Sequence, residues 1–103
     1  MKKFKCTVTR TDEYEIEIDD KVLNKEWMKN FRSTFYPFDT YAEHAEQIAQ
    51  MRARSDSSFI EGYGTPLVNH KIPFGAEKNS IERAININVL SEDDDCDVEV
   101  EEI

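Results

Sequence analysis

Carboxylates are the most abundant side chains of this chain that could carry chemistry. The 103 residues include 22 aspartates and glutamates against 13 lysines and arginines, a formal net charge of −9. Six of the acids fall in residues 12–20 and eight in residues 91–103, and neither stretch contains a base. Concentrated negative charge repels nucleic acids and anionic membranes and attracts basic surfaces. We therefore expect a basic protein as the partner, with no direct binding to nucleic acid or membrane.

These carboxylates do not have the setting that acid–base catalysis requires. A catalytic pair needs one carboxyl group in an apolar pocket that raises its pKa. Here Glu13, Glu15 and Glu17 alternate with apolar residues, as on the open face of a strand. We therefore expect no enzymatic activity and no cofactor.

The histidines and cysteines are isolated from one another in the sequence. Cys6, Cys96, His44 and His70 match no zinc-binding spacing, and there is no Cys-x-x-Cys. We expect no metal site, and we expect the cysteines to be buried thiols, with a disulfide as the alternative if their strands are neighbours. Each histidine is expected to be exposed or hydrogen-bonded, because no nucleophile or carboxylate is placed beside it by a motif.

The N-terminal residues 3–19 alternate between apolar and polar side chains, which predicts a β-hairpin. We place its turn at Arg10 to Asp12. Apolar faces and opposite charges both favour one register. The predicted cross-strand pairs are Val8 with Tyr14, Cys6 with Ile16, Phe4 with Ile18, Lys5 with Glu17 and Lys3 with Asp19.

Two amphipathic helices are predicted next. Asn24 is the expected N-cap of the first helix, which should end near Tyr36 because a residue before proline leaves the α region. Thr40 and Glu43 have the spacing of a capping box at the start of the second helix.

The rest of the chain predicts further strands. Residues 59–68 have strand character but contain Gly62, Gly64 and Pro66, which suits an irregular edge strand. A turn is expected at residues 69–71 and a helical turn at residues 80–84. Residues 85–89 and 96–101 alternate again and predict a second hairpin around an acidic loop. The order ββαα-irregular-ββ predicts an α+β fold in one domain, residues 1–103, with an antiparallel sheet of two hairpins and two helices packed on one face.

This fold would place the acids on the sheet face away from the helices. The order of the strands decides whether the two acidic rows are contiguous or are split by the lysines of the first strand. Residues on one face of a strand recur about every 6.6 Å, a spacing of the same order as that of nucleic-acid phosphates. The ordinary alternative is that the acids only maintain solubility and keep strand edges unpaired. A loose Ca²⁺ site at residues 92–97 is a further alternative, although the glycine and distal glutamate of an EF-hand are missing. The predicted partner-binding residues are Glu13, Glu15, Glu17, Asp19, Glu92, Asp93, Asp94, Asp95, Asp97, Glu99 and Glu101.

Three stretches carry a resemblance that covers the whole chain in organisation. They are KKFKCTVTRTDEYEIEID, YAEHAEQIAQMRARSDSSFIEGYG, and ININV with the closing DVEVEEI. In this the chain resembles a class of short acidic proteins encoded by bacteriophages and mobile elements. In that setting, small acidic proteins are often inhibitors of host defence enzymes, including anti-CRISPR and anti-restriction proteins that act as DNA mimics.

Two functions compete on these observations. The first is an inhibitor that presents its carboxylate-rich face to a basic nucleic-acid-binding protein of the host. The alternative is a homo-oligomeric structural or accessory protein, in which an exposed strand edge or the corner at residues 36–38 meets its copy. The N-terminus alternates instead of forming an apolar block, and no apolar run is long enough to span a membrane, so we expect a cytoplasmic location.

Overall fold

The computed structural model describes residues 1–55, 57–92 and 97–102 of the chain. It confirms the predicted α+β class and the broad order of the elements. In the described residues, no helix is long and apolar enough to cross a membrane. The elements are β1 (Phe4–Thr9), β2 (Glu13–Ile18), α1 (Lys25–Thr34), α2 (Tyr41–Arg54), β3 (Thr65–Val68), a 3-10 helix (Lys78–Ser80), β4 (Ile81–Ser91) and β5 (Asp97–Glu102).

A three-stranded sheet in the order β2-β4-β3 carries the core. Its central strand β4 is antiparallel to β2 and parallel to β3. Ile16 lies opposite Ile87 and Ile18 opposite Ile85, and both β4 isoleucines are buried. Burial of each such side chain stabilises the fold by roughly 1.5–3 kcal/mol. A slip by one residue would turn these side chains to the solvent, so their burial fixes the register.

The two helices cover the inner face of this sheet, and both predicted N-caps are confirmed. The Asn24 side chain accepts a hydrogen bond from the backbone N–H of Trp27 at 3.1 Å. Thr40 Oγ1 accepts from the N–H of Glu43 at 3.2 Å, and the Glu43 carboxylate accepts from the N–H of Thr40 at 3.2 Å. Buried residues of both helices belong to the apolar cluster around β4. Neither of the two described α-helices lies on the opposite face of the sheet.

The N-terminal strand does not fold back on β2. It pairs with β5 in a separate two-stranded ribbon, in which Val8 lies opposite Val98 and Cys6 opposite Val100. Both predicted hairpins are therefore wrong in the described residues, because β2 pairs with β4 and β1 with β5. The isoleucines of β4 lie at positions that match those of the isoleucines of β2. In addition, residues 10–12 contain no glycine or asparagine that would favour a tight hairpin turn between β1 and β2. Two sheets replace the single antiparallel sheet.

This β1–β5 ribbon makes the molecule elongated. The Cα radius of gyration is 17.2 Å and the principal extents are 57 × 30 × 22 Å, whereas a compact chain of this length has a radius of gyration of about 13 Å. All of β1 is exposed. Cys6 is therefore an exposed free cysteine and not the predicted buried thiol, while Cys96 lies outside the described residues.

The segment between β3 and β4 holds the two later strands in place. The predicted turn is present, with Asn69 and His70 at φ of 51° and 64°. Asn69 Oδ1 accepts a hydrogen bond from the N–H of Val89 at 2.9 Å, so this turn is fastened to β4. The predicted helical turn at residues 80–84 is wrong, because β4 begins at Ile81. The predicted irregular edge strand is β3, which lies parallel to β4.

Candidate protein-binding surface

Glu13, Glu15 and Glu17 form an exposed row along β2. The alternation of the strand produces this row, because successive side chains point to opposite faces and the residues between the acids pack against the core. Among the described residues, no lysine or arginine lies within 4 Å of these three carboxylates. Asp19, one residue beyond the strand, is also exposed and accepts a hydrogen bond from the N–H of Lys21 at 3.0 Å.

The neighbouring strand β4 holds the Glu17 carboxylate in position. Asn88 Nδ2 donates a hydrogen bond to Glu17 Oε1, and Asn86 Nδ2 donates to Asn88 Oδ1 at 2.8 Å. Asn86 Oδ1 in turn accepts from the backbone N–H of His70 at 2.8 Å, and His70 Nε2 lies 3.8 Å from Glu17 Oε1. The strand beside the acidic row thus contributes amides, which orient Glu17 without like-charge repulsion.

A second acidic row lies on the β1–β5 ribbon. Glu99 and Glu101 are exposed and lie opposite Thr7 and Lys5 respectively. This row and the β2 row belong to different sheets, so the prediction that they lie on one sheet face is wrong for a single chain. Each acidic strand is paired with a strand that has few acids, which avoids the destabilising opposition of like charges.

Glu92 does not belong to the open acidic surface. Arg52 Nη2 lies 2.8 Å from Glu92 Oε1, and the Tyr14 hydroxyl donates to Glu92 Oε2 at 3.1 Å. Burial, and next the hydrogen bond to Glu92, raise the pKa of Tyr14. The Glu92 carboxylate thus joins the residue after β4 to Tyr14 on β2 and to Arg52 on α2. Its predicted role as a partner contact stays a prediction.

The remaining predicted contact residues lie in the C-terminal acidic stretch. Asp93, Asp94 and Asp95 fall outside the described residues. Asp97 begins β5, where its Cα is paired with that of Thr9.

An open apolar groove lies next to β2, and no sequence motif marked it. It has a volume of about 420 Å³ and separates the outer edge of β2 from α2. Among the described strands, β2 is bonded to β4 alone, so the groove adjoins an open strand edge. The predicted hairpin would have covered this edge with β1, which is why the sequence did not reveal it. The groove is lined by Ile16, Ile18, Asp20, Tyr41, Ala42 and Ala45.

His44 is buried in an aromatic cluster and has a structural role. It is 1% exposed, and its Nδ1 lies 2.8 Å from the Tyr63 hydroxyl. Burial raises the pKa of Tyr63 and lowers the pKa of His44, which favours the neutral form of both side chains. The tautomer of the imidazole decides which of the two donates this hydrogen bond. Nε2 has no hydrogen-bond partner among the described residues. Phe31 and Phe38 meet the imidazole edge-on at centroid distances of 4.7 and 5.2 Å.

The described residues contain no group of three or more histidine, cysteine, aspartate and glutamate side chains arranged to hold a metal ion. Comparison of the chain with protein-family models, with curated proteins and with solved structures found no match. The functional argument therefore depends on the geometry and charge of the surfaces described above.

Proposed function

We propose that this protein is a non-enzymatic binding module that presents its carboxylates to a basic nucleic-acid-binding protein and blocks the nucleic-acid site of that protein. The observation that carries the proposal is the exposed β2 row, whose carboxylates have no lysine or arginine against them in the described part of the chain. Charges that are not neutralised within the fold are available to a partner.

The physics of charged interfaces supports this choice. A surface of one sign steers a partner of opposite sign and raises the rate of association. Acids on one face of β2 recur about every 6.6 Å, a spacing that suits lysines and arginines arranged to bind phosphates. Glu17 is already oriented by Asn88, which reduces the side-chain entropy that it loses on binding.

The resemblance to phage-encoded and mobile-element proteins directs the proposal to one target class. A host defence enzyme that binds DNA or RNA has the basic channel that a carboxylate row fits. The mode of action would be competition for that channel, so no reaction on the target is required.

Capture from a bacterial lysate tests the proposal. The tagged protein is expected to retain a nucleic-acid-binding protein at about 50 mM salt and to lose it at about 300 mM, because contacts dominated by charge weaken steeply over this interval. Captured proteins would be identified by mass spectrometry.

A pair of charge-reversed variants supplies the specificity control. Glu13→Lys with Glu15→Lys is expected to abolish the capture. Glu46→Lys with Glu61→Lys makes the same change in net charge at exposed positions away from the row, and it should retain most of the capture. Equal loss in both variants would mean that net charge alone, and not the β2 row, attracts the partner.

A further inference from the structure

The β1–β5 ribbon exposes an apolar face. Phe4, Val8, Val98 and Val100 are each more than half exposed, and the cross-strand pairs put them on one side of the ribbon. A two-stranded ribbon is marginally stable in water unless another element covers its apolar face. In the described residues β1 is paired with β5 alone, so the second edge of β1 is also open.

The open edge of β2 has the complementary properties. Its inward side chains Ile16 and Ile18 are only partly buried, and they continue into the apolar groove that borders α2. Its outward side chains are acidic. A strand that alternates apolar and basic residues could therefore pair with this edge, with its apolar side chains against the groove and its basic side chains beside the acids of β2.

β1 itself is such a strand. Its even positions from Phe4 to Val8 are apolar or cysteine, and lysines stand at positions 3 and 5. The even positions of β2 are likewise its inward ones. Charge and apolar pattern thus match between these two strands, yet they do not pair within one chain.

We propose that two copies of the chain form a symmetric dimer in which β1 of each copy adds, antiparallel, to the open edge of β2 of the other. All the pairs of this register are centred on residue 11, so the two-fold axis passes beside Thr11. The pairs between copies are Phe4 with Ile18, Cys6 with Ile16, Val8 with Tyr14, Thr7 with Glu15 and Lys5 with Glu17.

These are the same pairs that the sequence predicts for a hairpin. A hairpin with its turn at residue 11 and an antiparallel dimer with its two-fold axis at residue 11 pair the same residues. Only the dimer keeps the observed pairing of β1 with β5 and of β2 with β4. Such self-complementary contact is what a two-fold interface requires. It would extend the sheet of each copy to five strands, in the order β3-β4-β2 followed by β1-β5 of the partner.

The dimer would also bring the two acidic rows together. Because β1 alone separates β2 of one copy from β5 of the other, the rows would lie two strand spacings apart, about 10 Å, on one face. Lys5 of β1 would lie between them, opposite Glu17 on one side and Glu101 on the other. The dimer does not depend on the proposed function, and it would gather both rows on one face with part of their charge offset by Lys5.

Disulfide cross-linking tests the register. In a chain with Cys6→Ser and Cys96→Ser, the substitutions Thr7→Cys and Glu15→Cys are expected to give a covalent dimer under mild oxidation, because directly opposed Cβ atoms lie about 4.5–5.5 Å apart. Thr7→Cys with Glu46→Cys, on the exposed face of α2, is the matched control and should remain monomeric on a non-reducing gel. An internal disulfide in a monomer, or thiols that stay free, would overturn the proposal.

Sedimentation equilibrium tests the groove without cross-linking. The unmodified chain is expected to form dimers, and Ala42→Glu, which places a carboxylate in the groove, should raise the dimer dissociation constant about tenfold or more, the equivalent of 1.4 kcal/mol. Gln50→Glu, exposed on the same helix and outside the groove, should leave the constant unchanged. A monomer at every concentration would show that no second copy occupies the groove.

The two proposals fail separately. A dimer that captures no nucleic-acid-binding protein would refute the proposed function alone. A chain that remains monomeric and still captures such a protein through Glu13 and Glu15 would refute the dimer alone.

Discussion

Lys5 lies opposite Glu101 in the β1–β5 ribbon, and not opposite Glu17. The basic N-terminal strand β1 therefore pairs with the acidic strand β5, while Glu17 accepts a hydrogen bond from the neutral amide of Asn88. Within a single chain, Lys5 therefore does not neutralise the β2 row. The predicted hairpin would have placed Lys5 against Glu17, whereas the observed pairing leaves the carboxylates of β2 exposed to a binding partner.

The ion pair between Arg52 and Glu92 is predicted to stabilise the fold. Both side chains are about three-quarters buried, and Glu92 also accepts from Tyr14. Arg52→Met should lower the free energy of unfolding by about 1.5–3 kcal/mol, the range for a hydrogen bond to a charged group, as measured by urea denaturation. Arg54→Met is the control at an exposed position of the same helix and should change it by less than about 0.5 kcal/mol. Equal effects would contradict the role assigned to Glu92.

Acidification is predicted to destabilise the protein through His44. Burial lowers the pKa of His44 from its ordinary value of 6.5, against the opposing charge of Glu43. Below pH 6.5 the unfolded chain therefore binds a proton that the folded chain does not, so stability is fully present above this pH and falls as the pH drops. One proton limits the slope to about 1.4 kcal/mol per pH unit.

The double variant His44→Phe with Tyr63→Phe isolates this effect, because it keeps the aromatic packing and removes both polar groups. Its free energy of unfolding between pH 7 and pH 5 should depend less on pH than that of the unmodified chain. If the double variant and the unmodified chain show the same dependence of unfolding free energy on pH, His44 has the same pKa in the folded and unfolded states, which contradicts the prediction.

Local features of the fold were readable from the sequence, whereas strand pairing was not. The caps at Asn24 and Thr40 depend on residues within one helical turn, so their spacing was sufficient. β2 had two candidate partners with apolar alternates, and the choice of β4 depends on the burial of Ile85 and Ile87, which only the packed helices create. The partner of Glu92 lies 40 residues away, beyond any local pattern.

Gly64 is predicted to tolerate alanine less well than Gly75. Both have positive φ, at 85° and 78°, but a Cβ at Gly64 would lie 2.7 Å from the backbone oxygen of Ser80, whereas a Cβ at Gly75 meets nothing within 4 Å. Gly75→Ala should cost about 1–2 kcal/mol from backbone strain alone. Gly64→Ala should cost about 3 kcal/mol or more, because the backbone at Ser80, directly before β4, would have to move. Similar urea midpoints for the two variants would contradict the close approach of Gly64 to the backbone of Ser80.

Displacement by nucleic acid tests the central proposal most directly. Proteins captured from a lysate on the immobilised chain would be washed with duplex DNA or with RNA, and in parallel with sodium phosphate at the same ionic strength. If the carboxylate rows occupy a nucleic-acid site, nucleic acid should release the captured protein and phosphate should not. Retention of that protein under saturating DNA and RNA would contradict the proposal.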